Sequence, residues 1–234
     1  MLEKLTELDS RLMLALNGSD SLYMDGVMRI FSSTWTWIPL ACVLLVVLFK
    51  NKRIASAIIA VFMIGLTVYV CDRVSSGYIK PIVGRLRPSN EPLILDQIDI
   101  VNGSRYGSFG FVSSHAANCF GLFAFLSFLI RQKTLSVSLF VWAAIDSFSR
   151  VYLGVHYPGD ILCGAIFGMA IGTIVYFIYL FLTRRFQNGP SKITNFYTRT
   201  GFLVEDIQMV LVVFYLTYAF IAFYAFVYIN NKFL

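Results

Sequence analysis

The chain has 234 residues, 58% of them hydrophobic and only 14% charged, with a mean hydropathy of +0.72. That balance excludes an ordinary soluble domain and points to a membrane protein, expected as one unit over 1–234. The formal net charge of +6 raises nucleic acid as a partner, but the cations divide between loops and a few polar clusters, which fits membrane topology instead.

Glu3, Lys4, Glu7, Asp9 and Arg11 interrupt any apolar run at the N-terminus, so no signal peptide is expected. Leu5, Leu8, Leu12 and Leu16 recur at helical spacing until Asn17-Gly18 stops the pattern. A second short helix is expected from about Asp20-Ser21, with Met24, Val27, Met28 and Phe31 on one face. Both are too polar to span a bilayer. Over 1–31 they read as amphipathic interfacial helices, or as helices packed outside a bundle, and the sequence leaves both open.

Residues 33–49, 54–79, 114–130, 134–153, 158–183 and 205–229 are apolar stretches near the ~20 residues that cross a bilayer. The expected fold class is all-α, a polytopic bundle of about six transmembrane helices. Trp35 and Trp37 are expected at an interfacial end, and the Phe- and Tyr-rich last stretch is expected to face lipid. Gly164, Gly168 and Gly172 repeat every fourth residue, the small-residue pattern of a close helix seam. An intramolecular seam is the reading taken; a dimer face is the alternative. Cys42, Cys71, Cys119 and Cys163 lie in or beside apolar stretches with no zinc spacing, so they read as packing residues without disulfides.

Lys50, Lys52 and Arg53 lie between the first two stretches, and Arg131 and Lys133 between the third and fourth. Arg184, Arg185, Lys192 and Arg199 precede the last, with no acid until Glu205 and Asp206. These loops are expected to be cytoplasmic. Lys80, His115, Arg150, His156 and Asp160 then share the outer side with both termini. The loop over 81–111 is rich in turn residues (Pro88, Asn90, Pro92, Gly107, Gly110), and a loop of that length is often functional. Asn102-Gly103-Ser104 is formally a glycosylation sequon, a triplet that chance often supplies.

Lys80, Arg87 and Arg150 can surround a phosphate, Arg through a planar fork of donors and Lys as a mobile charge. Ser113 adds a hydroxyl, and backbone N–H groups near Ser114 add more if this turn opens a helix. Arg85 either joins this cage or solvates the loop. Asp146 lies four residues before Arg150 inside an apolar stretch. It is a functional candidate, but the reading taken is a helical ion pair that positions Arg150.

These clusters resemble the signature of the type 2 phosphatidic acid phosphatase superfamily, which also holds the vanadium haloperoxidases. Lys80 and Arg87-Pro88 match its first part; Ser149, Arg150, His156 and Asp160 match its third at the right spacing. The middle part departs: Val112-Ser113-Ser114-His115 stands where the family has Pro-Ser-Gly-His. Ser114 keeps the backbone donor and fails only if that position needs positive φ.

The resemblance implies a metal-independent phosphatase with catalytic core spans at 33–183. His156 is its nucleophile, Asp160 the orienting acid and His115 the general acid. No cofactor is implied, and no carboxylate cluster offers to hold a metal. The expected substrate is a membrane lipid phosphate or pyrophosphate, undecaprenyl pyrophosphate or a lipid A phosphate, at the outer face of a bacterial inner membrane. Tyr106, Phe109 and Phe111 beside Asn90, Gln97 and Asn102 lean towards the sugar headgroup of lipid A. A haloperoxidase, or a lipid-binding or transport protein with a basic pocket, are the rival readings. The apolar spans oppose the first and the paired His residues the second.

Overall fold

The computed structural model describes residues 2–101, 107–186 and 196–230. Asn102, the sequon, Tyr106 and Lys192 lie outside the described residues. Within them the chain is helical. Helices α1 (Leu2–Leu16) and α2 (Leu22–Phe31) precede α3 (Ile38–Asn51) and α4 (Ile54–Val74). A π-helical turn, Ser75–Ile79, carries α4 into the short α5 (Lys80–Val83). Helices α6 (Ser114–Ile130), α7 (Lys133–Tyr152), α8 (Pro158–Thr183) and α9 (Val204–Asn230) complete the bundle.

Thr34–Asn51, Ile54–Val83, Pro158–Thr183 and Val204–Val227 are long and apolar enough to cross a membrane. Helix α6 is apolar but shorter, and α7 carries Lys133, Asp146 and Arg150. Of the six apolar stretches, the two whose helices fall short of this, α6 and α7, are the ones that bring His115, Asp146 and Arg150 to the site.

Lipid tails are as apolar as leucine, so burial alone does not hold such helices together; close van der Waals packing does. The seam between α6 and α8 shows it. A Cβ added to Gly164, Gly168 or Gly172 would strike the carbonyl of Ser113, Ala117 or Gly121 respectively. The glycine repeat is therefore the intramolecular seam. Elsewhere aromatic rings do the packing: Trp37 meets Phe31, Trp142, Phe214 and Tyr218 at centroid distances of 5.0 to 5.9 Å. Trp35 is 80% exposed, whereas Trp37 is buried and donates its indole N–H to the Phe31 carbonyl. Helix α9 faces both ways: Phe220, Phe223 and Phe226 are exposed, while Phe214 and Ile221 enter the core.

The two N-terminal helices differ. Helix α2, capped by Ser21, sets Gly26 against Ala225 of α9 and buries Phe31, so it belongs to the bundle and not to the interface. Helix α1 keeps Leu5, Leu8, Leu12 and Leu16 exposed and turns only Met13 fully inward.

At one end of the bundle Lys50 pairs with Asp206 at 2.6 Å, and Thr200 donates to the Ile130 carbonyl at 2.7 Å. The cation-bearing loops thus share that end. At the other end residues 85–87 pair with 108–110: Arg87 N–H donates to Ser108 O, Gly110 N–H donates to Arg85 O, and Leu86 bridges Phe109. Ile98 and Val101 anchor the loop on side chains of α1 and α7.

Candidate active site

Gly84, at φ +64, ends α5 and reverses the chain, so Lys80, Arg85 and Arg87 come off one short turn. Lys80 Nζ donates to Ser114 Oγ at 2.8 Å, and Ser76 from the π-helical turn shares that oxygen at 2.8 Å. Ser114 opens α6 with helical backbone and no positive φ, so replacing the family glycine costs no strain there. Ser113 departs from its expected place in the cage. It is fully buried, its Oγ caps α6 by accepting from Ala116 N–H, and its own N–H donates to the Asp160 carbonyl.

The third cluster folds around the carbonyl of Arg150, which accepts from the N–H of both Val155 and His156. Gly154, at φ +81, permits that tight turn. Pro158 then starts α8, and Asp160 sits in its first turn, accepting from Tyr157 N–H at 3.1 Å. Asp160 Oδ2 lies 3.3 Å from His156 Nδ1. A carboxylate can only accept, so Nδ1 carries the proton and Nε2 holds the free pair. Nε2 lies 2.9 Å from Arg87 Nη1, which also donates to the Val155 carbonyl at 3.0 Å. Burial, then Arg87, Arg150, Lys80 and His115, push the His156 pKa well below its ordinary value. The ring is therefore neutral at neutral pH, with its unprotonated nitrogen facing the cations. Arg150 reaches in from α7 and donates to Ser32 Oγ at 2.6 Å.

Two expectations change. Arg85 neither joins the cage nor solvates the loop. It donates to Asp160 Oδ1 at 3.0 Å, pairs with Asp9 Oδ2 at 2.8 Å, and stacks over the Tyr157 ring. Desolvating a carboxylate as completely as Asp160 needs such a partner. Asp146, expected as the ion-pair partner of Arg150, points to His115: its Oδ2 lies 3.1 Å from His115 Nε2 and 3.1 Å from Cys119 Sγ. Among the described residues these three form a set whose ligand atoms lie within 4.8 Å of one another, as a metal site would need. Two donors converging on one carboxylate oxygen account for that geometry without an ion.

Sequence reasoning missed Asp9, Ser32, Ser76 and Gly110. A Cβ on Gly110 would sit 2.8 Å from Asp160 Oδ2, so only glycine lets the loop approach that acid. Every one of these contacts spans tens of residues, and no local spacing announces them.

The family model described as the PAP2 superfamily matches residues 56–184. The chain belongs to the PAP2 superfamily. It is 43% identical over 196 residues to a protein of Bacteroides thetaiotaomicron named lipid A 4'-phosphatase, covering 82% of this chain and 87% of that one. A Porphyromonas gingivalis protein of the same name is 35% identical over 79% of this chain and 78% of its own length. Two solved folds are similar. The transmembrane PAP2-type phosphatidylglycerolphosphate phosphatase of Bacillus subtilis aligns over 80% of this chain and 89% of its own, with TM-score 0.56 at 21% identity. Aquifex aeolicus LpxE aligns over 72% and 94%, with TM-score 0.53 at 24% identity. This PAP2 member is a bacterial membrane phosphatase acting on a membrane lipid.

Proposed function

We propose that this phosphatase removes a phosphate monoester from lipid A, with the whole chain as one catalytic unit. The observation that carries the mechanism is the His156 ring, proton on Nδ1 towards Asp160 and free pair on Nε2 towards Arg87. Nε2 attacks phosphorus, the ester P–O bond breaks, and the sugar oxygen leaves with a proton from His115. Lys80, Arg87 and Arg150, with Ser114 at the start of α6, hold the phosphoryl oxygens as negative charge gathers on them. Water then takes the phosphoryl group from the phospho-histidine, giving its proton to His115 and restoring both rings. Asp146 holds His115 through Nε2, leaving Nδ1 for the substrate, and stabilises the imidazolium while the proton waits.

The site faces the periplasm of the inner membrane in this reading, because the cation-rich loops gather at the opposite end. A lipid keeps its chains in the bilayer while its headgroup meets the cage, gaining roughly 0.8 kcal/mol per methylene kept from water. The names of the relatives and the loop carrying Phe109 and Phe111 favour lipid A over a polyprenyl pyrophosphate. Purified protein offered lipid A, undecaprenyl pyrophosphate and a short-chain soluble phosphate ester tests this, with phosphate release and product mass as the readout. Lipid A should lose one phosphate fastest. Equal turnover of the soluble ester overturns the lipid reading, and preference for the pyrophosphate overturns the choice of lipid.

A further inference from the structure

Helix α1 lies outside the stretch that matches the family, yet it touches the site through one side chain. Asp9 Oδ2 pairs with Arg85 Nη2 at 2.8 Å, on the opposite branch of the guanidinium from the one that donates to Asp160. Asp9 Oδ1 accepts from Gly159 N–H at 2.7 Å, in the first turn of α8, where helix geometry leaves donors without partners. A Cβ on Gly159 would sit 2.7 Å from Asp9, so the approach uses all the room there is. With Tyr157 beneath it at 3.9 Å, Arg85 is fixed on three sides.

The rest of α1 is sorted by face, as a period of about 3.6 residues requires. Asp9 and Met13 point inward. Leu5, Leu8, Leu12 and Leu16 form an adjacent stripe exposed by 41 to 58%, and the exposed Glu7–Arg11 pair lies on the far side. Helix α8, whose first turn Asp9 holds, exposes Leu162, Ile166 and Phe181 further along its length. Lipid covers such a surface in a membrane protein, and α1 sits where that belt meets the site. A leucine face beside a charged face is how a helix lies in a bilayer surface.

We propose that α1 is a lipid-seated clamp on the site: Asp9, acting through Arg85, holds Asp160 and hence His156, while the leucine stripe beds in the bilayer surface. The clamp rests on the reading of His156 as nucleophile. Asp9 is a positioning residue, so its effect must vanish when Arg85 is gone. The test is the rate of phosphoenzyme formation from radiolabelled lipid A in proteoliposomes, followed by rapid quenching. Asp9→Asn should slow it about tenfold, within the range of coupling inside one shared network, with little change in KM. In an Arg85→Met background the same substitution should change the rate less than twofold, and Asp9→Glu should recover part of the wild-type rate. An equal loss in both backgrounds, or none in either, overturns the clamp. Absence of any phosphoenzyme in the wild type overturns the nucleophile reading instead. For the lipid seat, a bimane label at Leu8→Cys, in a chain without its four native cysteines, should be quenched by brominated acyl chains. Quenching by aqueous iodide alone, or by neither, overturns it.

Discussion

Two His–carboxylate pairs stand in this molecule, and they are built differently. His156 and Asp160 are four residues apart on one turn, almost wholly buried, and walled by Arg87, Arg150 and Lys80. His115 and Asp146 come from two helices; the imidazole stays about a quarter exposed and the carboxylate is shared with Cys119. The first arrangement keeps an imidazole neutral among cations, which suits attack on phosphorus. The second offers an imidazole a negative partner and an opening, which suits carrying a proton. In the proposed mechanism the same residue types, differently surrounded, take opposite ends of one reaction.

The sharpest break is to delete each histidine. His156→Ala should abolish turnover of lipid A by the purified protein, because no second nucleophile takes its place. His115→Ala should cost on the order of 10²–10⁴-fold, the usual worth of a general acid. That loss should shrink when the leaving group is a nitrophenol bearing an alkyl chain, which departs without a proton. Near-normal turnover by His156→Ala, or an equal loss by His115→Ala on both substrates, would undo the assignment.

Exchanging the carboxylates for amides sharpens the comparison at smaller cost. Asp160→Asn should slow phosphoenzyme formation with either leaving group, since it disturbs the attacking ring. Asp146→Asn should be milder, and should matter mainly for the poor leaving group. The reverse pattern would mean that the two pairs have been assigned the wrong way round.

The smallest expected effect is on pH. Burial and then Arg87 push His156 below the ordinary histidine range, so its neutral form persists into acid. Activity should fall on the acid side only below that range, as His156 takes up a proton. Arg87→Met removes the largest charged contribution and should move the acid limb to higher pH, whatever it does to the overall rate. An acid limb that stays put, or moves down, would remove His156 as its source. The limbs belong to the coupled site and are to be fitted as such. Turnover should also survive EDTA, with vanadate inhibiting as a phosphate mimic; activity restored only by added divalent metal would point to His115, Cys119 and Asp146 as a metal site.

The two pairs also differ in how far the sequence reveals them. His156 and Asp160 fall four apart on either side of a first-turn proline, a local pattern that any reader of the chain can see. Apolar runs likewise mark the bundle, and the four-residue glycine period marks the α6–α8 seam. The partner of His115 could not be read this way. Helical spacing linked Asp146 to Arg150 on its own helix, but the crossing with α6 turned the carboxylate elsewhere. Arg85 shows the same limit: as one cation in a turn it could serve phosphate or solvent, and only the fold brings Asp9 and Asp160 to it. Trp37 reads as an interface anchor in the sequence because a tryptophan before a span does either job. Its burial depends on Trp142 and Phe214, far along the chain.

The glycine seam sets the dimensions of the candidate active site. His115 lies in the very turn of α6 that meets Gly164, between Ser113 and Ala116, and Asp160 sits one turn above Gly164 on α8. Carbonyls resting against bare α-carbons act like the closed jaws of a calliper, so the gap available to a phosphoryl group is machined into the backbone. Side-chain drift around the site cannot widen it. A lineage acquiring a new lipid would have to remodel the rim, the loop that starts at Gly84 or α1, while the jaws keep the same opening for every headgroup.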